Sequence, residues 1–294
     1  MKILITGAAG MLAADIIVRL QEAKHQVVQT DIHQRVPDIE ALDVTDRDRV
    51  FSKVEQLQLD YIFHLAAETN VDLCQENPEH AFRVNSLGTK NIAYACREFN
   101  CRLLYISTSN VFDGNKQRAY IESDLPDPIN VYGRSKFEGE LVVKELLSDY
   151  FIIRAGWMVG GWQLDKKFVY KIVQQLRQGR TELRAVSDKF GSPTFTKDFA
   201  ANLLKVIETE KYGLYHMVNK GMGSRYDIAL KIVEFMGFKS RVKVKPISSE
   251  EFPLPAPRPR SEILSNYKLD SLGLNHMPHW HDSLAEYIKT NKDR

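Results

Sequence analysis

The sequence has little that would tie it to a membrane, to nucleic acid or to an oxidising compartment. No apolar run approaches the roughly 18 residues of a membrane span. The net charge is only +2 over 294 residues, so no broad basic surface for nucleic acid or acidic lipid is expected. Cysteine is scarce: Cys74, Cys96 and Cys101 are three in all, odd in number and without Cys-x-x-Cys spacing. They argue against a disulfide framework and a zinc site. They predict buried thiols in a reducing, cytoplasmic setting. Met1 to Gly7 is apolar too briefly for a signal peptide. Internal repeats and low-complexity tracts are lacking. What remains is 44% hydrophobic and 27% charged, ordinary for a globular chain. The length suits one large α/β domain, or such a domain with an appended lobe.

Apolar runs and helical periodicities alternate through about residue 155. Lys2 to Thr6 reads as strand and ends in Gly7-Ala8-Ala9-Gly10. Ile16, Ile17 and Leu20 then follow at helical spacing. Val27 to Thr30 is a second strand, closing on Asp31. Leu42 to Asp46 reads as a strand end and a cap for the helix carrying Val50, Val54 and Leu57. Tyr61 to Ala67 is a buried run, and Asn77-Pro78 opens a long helix through Cys96. Leu103 to Ser107 and Phe151 to Arg154 are further strands, with a helix after Tyr132 between them. Such alternation predicts an α/β fold, a doubly wound parallel sheet of the Rossmann type.

Beyond Trp157 the pattern loosens. Helices are expected over 168–176, 197–207 and 226–236, and strands over 183–186 and 212–218. Phe252 to Pro259 carries four prolines in alternate places and must be extended. Residues 1–156 are therefore expected to form the dinucleotide-binding domain. Residues 157–294 should be mainly a smaller C-terminal substrate-binding lobe, with segments near 195–220 returning to the first domain.

Ligands of open parallel sheets bind beyond the carboxyl ends of the strands, so the residues there are the candidates. Gly7 and Gly10, between strand and helix, suit a dinucleotide diphosphate. Ala13 stands where a third glycine is often found. Asp31 can accept hydrogen bonds from ribose hydroxyls and would repel a 2′-phosphate, which favours NADH and leaves NADPH admissible; Arg35 would soften the preference. A plain turn aspartate would look the same in sequence. Asp43-Val44 could meet adenine, although Asp43 also precedes a capping site.

Tyr132 and Lys136 are four residues apart in Asn130-Val131-Tyr132-Gly133-Arg134-Ser135-Lys136 and share a helix face. The spacing alone is common by chance. An ammonium about 4 Å from the phenol, at an effective dielectric of about 20, would favour the phenolate by roughly 4 kcal/mol. That could lower the tyrosine pKa by up to roughly 3 units. Thr108 can donate to a substrate carbonyl or to the phenol, and Asn85 could orient Lys136 through water. Trp157 could wall the substrate pocket, although a tryptophan is more often core. His276, His279 and His281 cluster, but Pro278 and Trp280 interrupt them, so a packed loop is expected rather than a metal site.

Together these residues resemble the extended short-chain dehydrogenase/reductase superfamily and, within it, the dTDP-4-dehydrorhamnose reductase family. The resemblance spans nearly the whole chain. It rests on Thr6-Gly7-x-x-Gly10, His64-Leu65-Ala66-Ala67-Glu68-Thr69, Val71-Asp72, Val84-Asn85-Ser86-Leu87-Gly88-Thr89 and Tyr105-Ile106-Ser107-Thr108. Val111-Phe112-x-Gly114, the Tyr132–Lys136 stretch, Asp188 to Thr194, Gly213-Leu214-Tyr215-His216, Arg258-Pro259 and Pro278-His279-Trp280 continue it in order.

The resemblance implies hydride transfer from NAD(P)H to the C4 ketone of a nucleotide-linked deoxysugar, in deoxysugar or surface-polysaccharide synthesis. Tyr132 would donate the proton, Lys136 would lower its pKa and hold the nicotinamide ribose, and Thr108 would tune the tyrosine. Gly7, Gly10, Met11, Leu12, Asp31, Asp43, Val44, Ala66, Ala67, Glu68 and Asn85 would line the cofactor. Thr108, Ser109, Trp157 and Arg258 would contact the sugar nucleotide. A homodimer is one expected assembly. The family usually reads Ser-Thr-Asp-Tyr-Val-Phe where this chain has Ser107-Thr108-Ser109-Asn110-Val111-Phe112. Ala155-Gly156-Trp157 stands where Thr-Ser-Trp is usual. A nucleotide-sugar epimerase and a non-catalytic cofactor-binding regulatory subunit stay open beside the reductase. A dehydratase does not, because Ser109 cannot move its second proton.

Overall fold

The computed structural model describes residues 1–34, 37–165 and 167–291. The first third runs β1 (Lys2–Thr6), α1 (Met11–Glu22), β2 (Gln26–Asp31), β3 (Ile39–Ala41), α2 (Arg47–Leu57) and β4 (Tyr61–His64). The strand end expected over Leu42 to Asp46 is a turn instead, because β3 stops at Ala41. Asp43 Oδ1 there accepts from both Thr45 N and Thr45 Oγ1 at 2.8 Å. Such local side-chain bonds compete with a strand ladder. Asp46 then caps α2 by accepting from Arg49 N.

A short α3 (Val71–Glu76), unread in the sequence, precedes the long helix expected after Asn77. That helix comes in two parts, α4 (Pro78–Phe82) and α5 (Gly88–Glu98), joined by a wider π turn, Arg83–Leu87. The π turn contains Asn85, and such turns often mark functional positions. Then come β5 (Arg102–Thr108), α6 (Val131–Leu146), β6 (Tyr150–Ala155), β7 (Trp157–Val159), α7 (Phe168–Arg177), β8 (Glu182–Val186), β9 (Phe190–Gly191), β10 (Pro193–Phe195), α8 (Thr196–Ile207) and β11 (Gly213–His216). The main sheet has the order β11-β6-β5-β4-β1-β2-β3, with every pairing parallel.

Strand alternation splits the core. Ile3, Ile5, Phe63 and Ile153 face α1 and α8, whereas Leu4, Ile62, Leu103 and Ile152 face α2, α5 and α6. Neighbouring residues of each strand thus serve opposite faces, which is why the runs are continuously apolar. A separate core joins Val169, Ile172, Ile228, Ile232 and Leu284. It is built by α7, β8, α9 (Arg225–Phe235), β13 (Lys243–Ile247) and α11 (Trp280–Asn291); the other later elements are β12 (Gly223–Ser224), β14 (Ser261–Glu262) and α10 (Tyr267–Ser271). Among the described residues β13 pairs only with β8, an edge position that tolerates Pro246. β9 lies between β12 and β14, and Glu262 is registered opposite Gly191. No helix among the described residues is long and apolar enough to cross a membrane.

Candidate active site

The glycine turn and the loop after β4 pack against each other at the carboxyl edge of the sheet. Gly7 has φ +72°, and a Cβ there would lie 2.6 Å from Ala66 N, so glycine is required on both counts. Gly10 is the N-cap of α1 and offers no side chain to it. The first-turn N–H groups beside Met11 and Leu12 are therefore uncapped and suited to a diphosphate. Asp31 Oδ2 accepts from Ala9 N at 3.0 Å and Oδ1 from His33 N at 2.8 Å, which fixes the carboxylate beside that turn. These groups fit a dinucleotide cofactor. Arg35 lies outside the described residues.

Two candidates sit differently from expectation. Val44 sends its side chain into the core against Gly88, and its carbonyl accepts from Asn91 Nδ2 at 3.0 Å. Asn85 works as a clamp. It accepts from Glu68 N at 2.8 Å, donates to Glu68 O at 3.1 Å, and donates to Ser135 Oγ at 3.0 Å. The loop Ala66-Ala67-Glu68 is thereby tied to α6.

Tyr132 and Lys136 enter on α6, whose N-cap Asn130 accepts from Gly133 N at 2.8 Å. Tyr132 is half-buried against Cys74, Ala81 and Val131. Lys136 is 3% exposed, and its Nζ rests 4.1 Å from the centre of the Tyr105 ring. The depressed tyrosine pKa expected from the spacing is not found. Burial raises it, a hydrogen bond with Thr108 opposes the rise, and Cys74, Glu262 and Glu68 add to it. The i, i+4 spacing fixed a common face but not a phenol–ammonium contact, and desolvation of the phenolate outweighs the rest. Burial also pushes Lys136 down to about 7, against the pull of Glu140 and Cys74. The phenol is therefore protonated at neutral pH, poised to donate.

The sugar side carries two groups that the sequence reading missed. Glu262 is 6% exposed. Its Oε2 accepts from Ser109 Oγ at 2.8 Å and Asn110 Nδ2 at 2.6 Å, and its Oε1 from Trp157 Nε1 at 3.0 Å. Arg225 stacks its guanidinium 3.8 Å from the centre of the Trp157 ring. Burial lowers Arg225 to about 10, while Glu262 and Asp165 hold it up. Ser109 and Glu262 are 153 positions apart, so no spacing could pair them. The one signal was the acid missing at Ser109. Arg258 is engaged elsewhere: it donates to Asp72 Oδ2 at 2.9 Å and to Ala256 O at 2.8 Å. It thus pins the proline strap to α3.

His279 and His281 face each other with ring centres 4.6 Å apart at the start of α11. Among the described residues no group of three or more His, Cys, Asp or Glu could hold a metal ion. A concavity of about 340 Å³ lies at the opposite, amino end of the sheet, lined by Asp60, Arg97, Cys101 and Asp149 among others. It contains none of the groups above.

A doubly wound parallel sheet with a glycine turn, and with Thr108, Tyr132 and Lys136 at its carboxyl edge, defines an extended short-chain dehydrogenase/reductase. The family model described as "RmlD substrate binding domain" matches residues 1–292. The chain belongs to the dTDP-4-dehydrorhamnose reductase family and is a nicotinamide-dependent oxidoreductase of nucleotide sugars.

A dTDP-4-dehydrorhamnose reductase of Clostridium acetobutylicum is 37% identical with a TM-score of 0.92, over 99% of this chain and 100% of that one. The Bacillus anthracis dTDP-4-dehydrorhamnose reductase, solved in complex with NADP, is 34% identical with a TM-score of 0.90, over 98% and 99%. Among curated relatives, the dTDP-4-keto-6-deoxy-D-glucose reductase of Streptomyces niveus is 33% identical over 96% of this chain and 95% of its own length. The spore coat polysaccharide biosynthesis protein SpsK of Bacillus subtilis is 31% identical over 98% and 97%.

Proposed function

We propose that this protein reduces the C4 ketone of a nucleotide-linked 4-keto-6-deoxysugar, for deoxysugar or surface-polysaccharide synthesis. The observation that carries this reading is the placement of the Tyr132 phenol and Lys136 on α6 beside Thr108, at the carboxyl edge of a dinucleotide-type sheet. Gly7, Gly10 and Asp31 would hold a reduced nicotinamide dinucleotide, which would supply the hydride. Tyr132 gives its proton to the carbonyl oxygen as the C–H bond forms, and the product is an alcohol. Thr108 donates to the same oxygen or to the phenolate left behind. Lys136, buried beside Tyr105, would hold the nicotinamide ribose, and its ammonium form would stabilise that phenolate. Asp31 favours NADH, because a 2′-phosphate beside a buried carboxylate costs Coulomb energy. Arg225 supplies positive charge for the diphosphate of the sugar nucleotide.

The names of the close relatives support this class of substrate, and a thymidine nucleotide is the first to try. The epimerase and regulatory readings lack such support: a UDP-glucose 4-epimerase of Thermus thermophilus shares the fold at 19% identity. The test is a screen of dTDP- and UDP-linked 4-ketosugars with NADH and with NADPH, followed at the nicotinamide absorbance. Oxidation of either cofactor only when a 4-ketosugar is present is the expected result. Cofactor binding without turnover of any of them would replace the reductase reading by a regulatory one.

A further inference from the structure

We propose that Glu262 is the positioning residue that sets sugar selectivity, supplying from β14 the carboxylate that this chain lacks at position 109. The inference rests on the reductase reading above and deepens it.

The geometry joins Glu262 to three walls of the same site. Through Oε2 it holds Ser109 and Asn110, the two residues after Thr108. Through Oε1 it holds the Trp157 indole, which packs on Gly191 so closely that a Cβ there would lie 2.4 Å from the ring. Asn110 Oδ1 in turn accepts from Asn130 Nδ2 at 2.9 Å, and Asn130 caps the helix that carries Tyr132. One carboxylate therefore fixes the rotamers of Ser109, Asn110 and Trp157 and is linked through two amides to the proton donor. A buried carboxylate is stable only when its lone pairs are used, and here three donors meet it. Arg225, stacked on the same indole, balances its charge. The charge of Glu262 also adds to the rise of the Tyr132 phenol.

The chemistry identifies what such a wall reads. Asn110 has both amide groups occupied, and so has the Trp157 N–H. Ser109 keeps a hydroxyl oxygen that can still accept. The wall therefore offers an acceptor held in place by Glu262, the Ser109 oxygen, to a sugar that carries a hydroxyl donor next to the reduced carbon. A sugar without such a donor leaves this acceptor unpaired and is rejected.

The test compares Glu262→Gln, Glu262→Ser and the exchange Ser109→Asp/Glu262→Ser, which returns a carboxylate to the same hydrogen bond from its other side. The measurements are kcat and KM for the 4-ketosugar, and intrinsic tryptophan fluorescence titrated with dTDP and with a dTDP-deoxyhexose. Glu262→Gln turns one acceptor into a donor facing Trp157 or the Ser109–Asn110 pair. Its KM is expected to rise about tenfold or more, with NADH affinity within about twofold of wild type. Affinity for dTDP should hold while that for the dTDP-sugar falls, and Glu262→Ser should behave likewise. The exchange should recover KM to within about threefold and change the ranking of 4-ketosugars.

A folded Glu262→Gln with unchanged KM overturns the proposal, as does equal weakening of dTDP and dTDP-sugar, or an exchange that recovers nothing. If Glu262→Gln does not fold, Trp157→Phe removes one donor and keeps the aromatic wall. An unchanged KM there overturns the proposal equally. Wild type that binds dTDP-sugar but reduces none of the 4-ketosugars would sink the reductase reading, while the two fluorescence titrations would still decide on Glu262.

Discussion

Glu140 and Arg154 form a bidentate ion pair at the centre of the molecule. Arg154 Nε donates to Glu140 Oε1 at 2.8 Å and Nη2 to Oε2 at 2.7 Å, and the two residues are 0% and 1% exposed. Ser107 Oγ adds a third bond to Oε1 at 2.6 Å. The pair locks α6, one turn after Lys136, onto β5 and β6. Replacing Arg154 by Met strands a buried carboxylate and should cost about 3–5 kcal/mol. Arg154→Met/Glu140→Met should recover much of that loss. Urea unfolding of wild type and the variants checks both, and a double variant no better than the single would mean that the pair does not act as a unit.

Tyr132→Phe removes the transferable proton and little else. Cofactor affinity should change by less than about threefold while kcat falls by roughly a hundredfold or more. Stopped-flow hydride transfer with nucleotide 4-ketosugar reads the second quantity, and a fully active variant would remove Tyr132 from the chemistry.

Gly133 sets how closely α6 approaches the loop after Thr108. A Cβ at this position would lie 2.1 Å from Asn110 O, and backbone cannot yield as a flexible side chain does. Gly133→Ala should push the start of α6 outward and displace Tyr132. A shift near 1 Å is enough to cost about a hundredfold in kcat. Circular dichroism should remain native, because the helix itself gains propensity. Normal turnover in the Gly133→Ala variant would show that the approach is not tight.

Asp31 is held by Ala9 N and His33 N beside the glycine turn. Asp31→Ala should move the ratio of kcat/KM for NADH over NADPH by about tenfold or more toward NADPH. The ratio is measured on one ketosugar at saturating concentration. If it does not move, Asp31 is not what reads the ribose.

Two buried histidines predict acid lability. Burial and then Lys136 lower His64 to about 3, and burial and then Arg154 lower His216 to about 3. Both folded values lie below the unfolded value near 6.5. Their stabilisation is thus fully present above that value and is lost as pH falls from about 6.5 toward about 3. Between pH 7 and pH 5 the two together should remove roughly 4 kcal/mol. His64→Gln, which can still bridge Thr6 and Thr89, should show about half the fall in urea unfolding. An equal fall in that variant would place the lability elsewhere.

The strand and helix order through Arg154 was legible because apolar runs and helical periods there are long and cleanly punctuated by Gly7, Gly10 and Asn77-Pro78. Short elements were not legible. α3, β13 and the two-residue β14 are too brief to carry a period, and they exist because neighbours pair with them. The turn at Asp43 was misread because its side-chain bonds imitate a strand end.

The sequence by itself determined the glycine turn, the rim carboxylate Asp31, and the common face of Tyr132 and Lys136. Each follows from a local spacing or from the conformational freedom of glycine. Only the tertiary structure decided the charge state of that face. Burial raises the Tyr132 phenol and lowers the Lys136 ammonium, and it is a property of everything packed around them. It also decided where the acid of the sugar pocket comes from. A hydrogen bond between residues 153 positions apart has no signature in one dimension, because it is made by the pairing of β14 with β9 and not by any spacing along the chain.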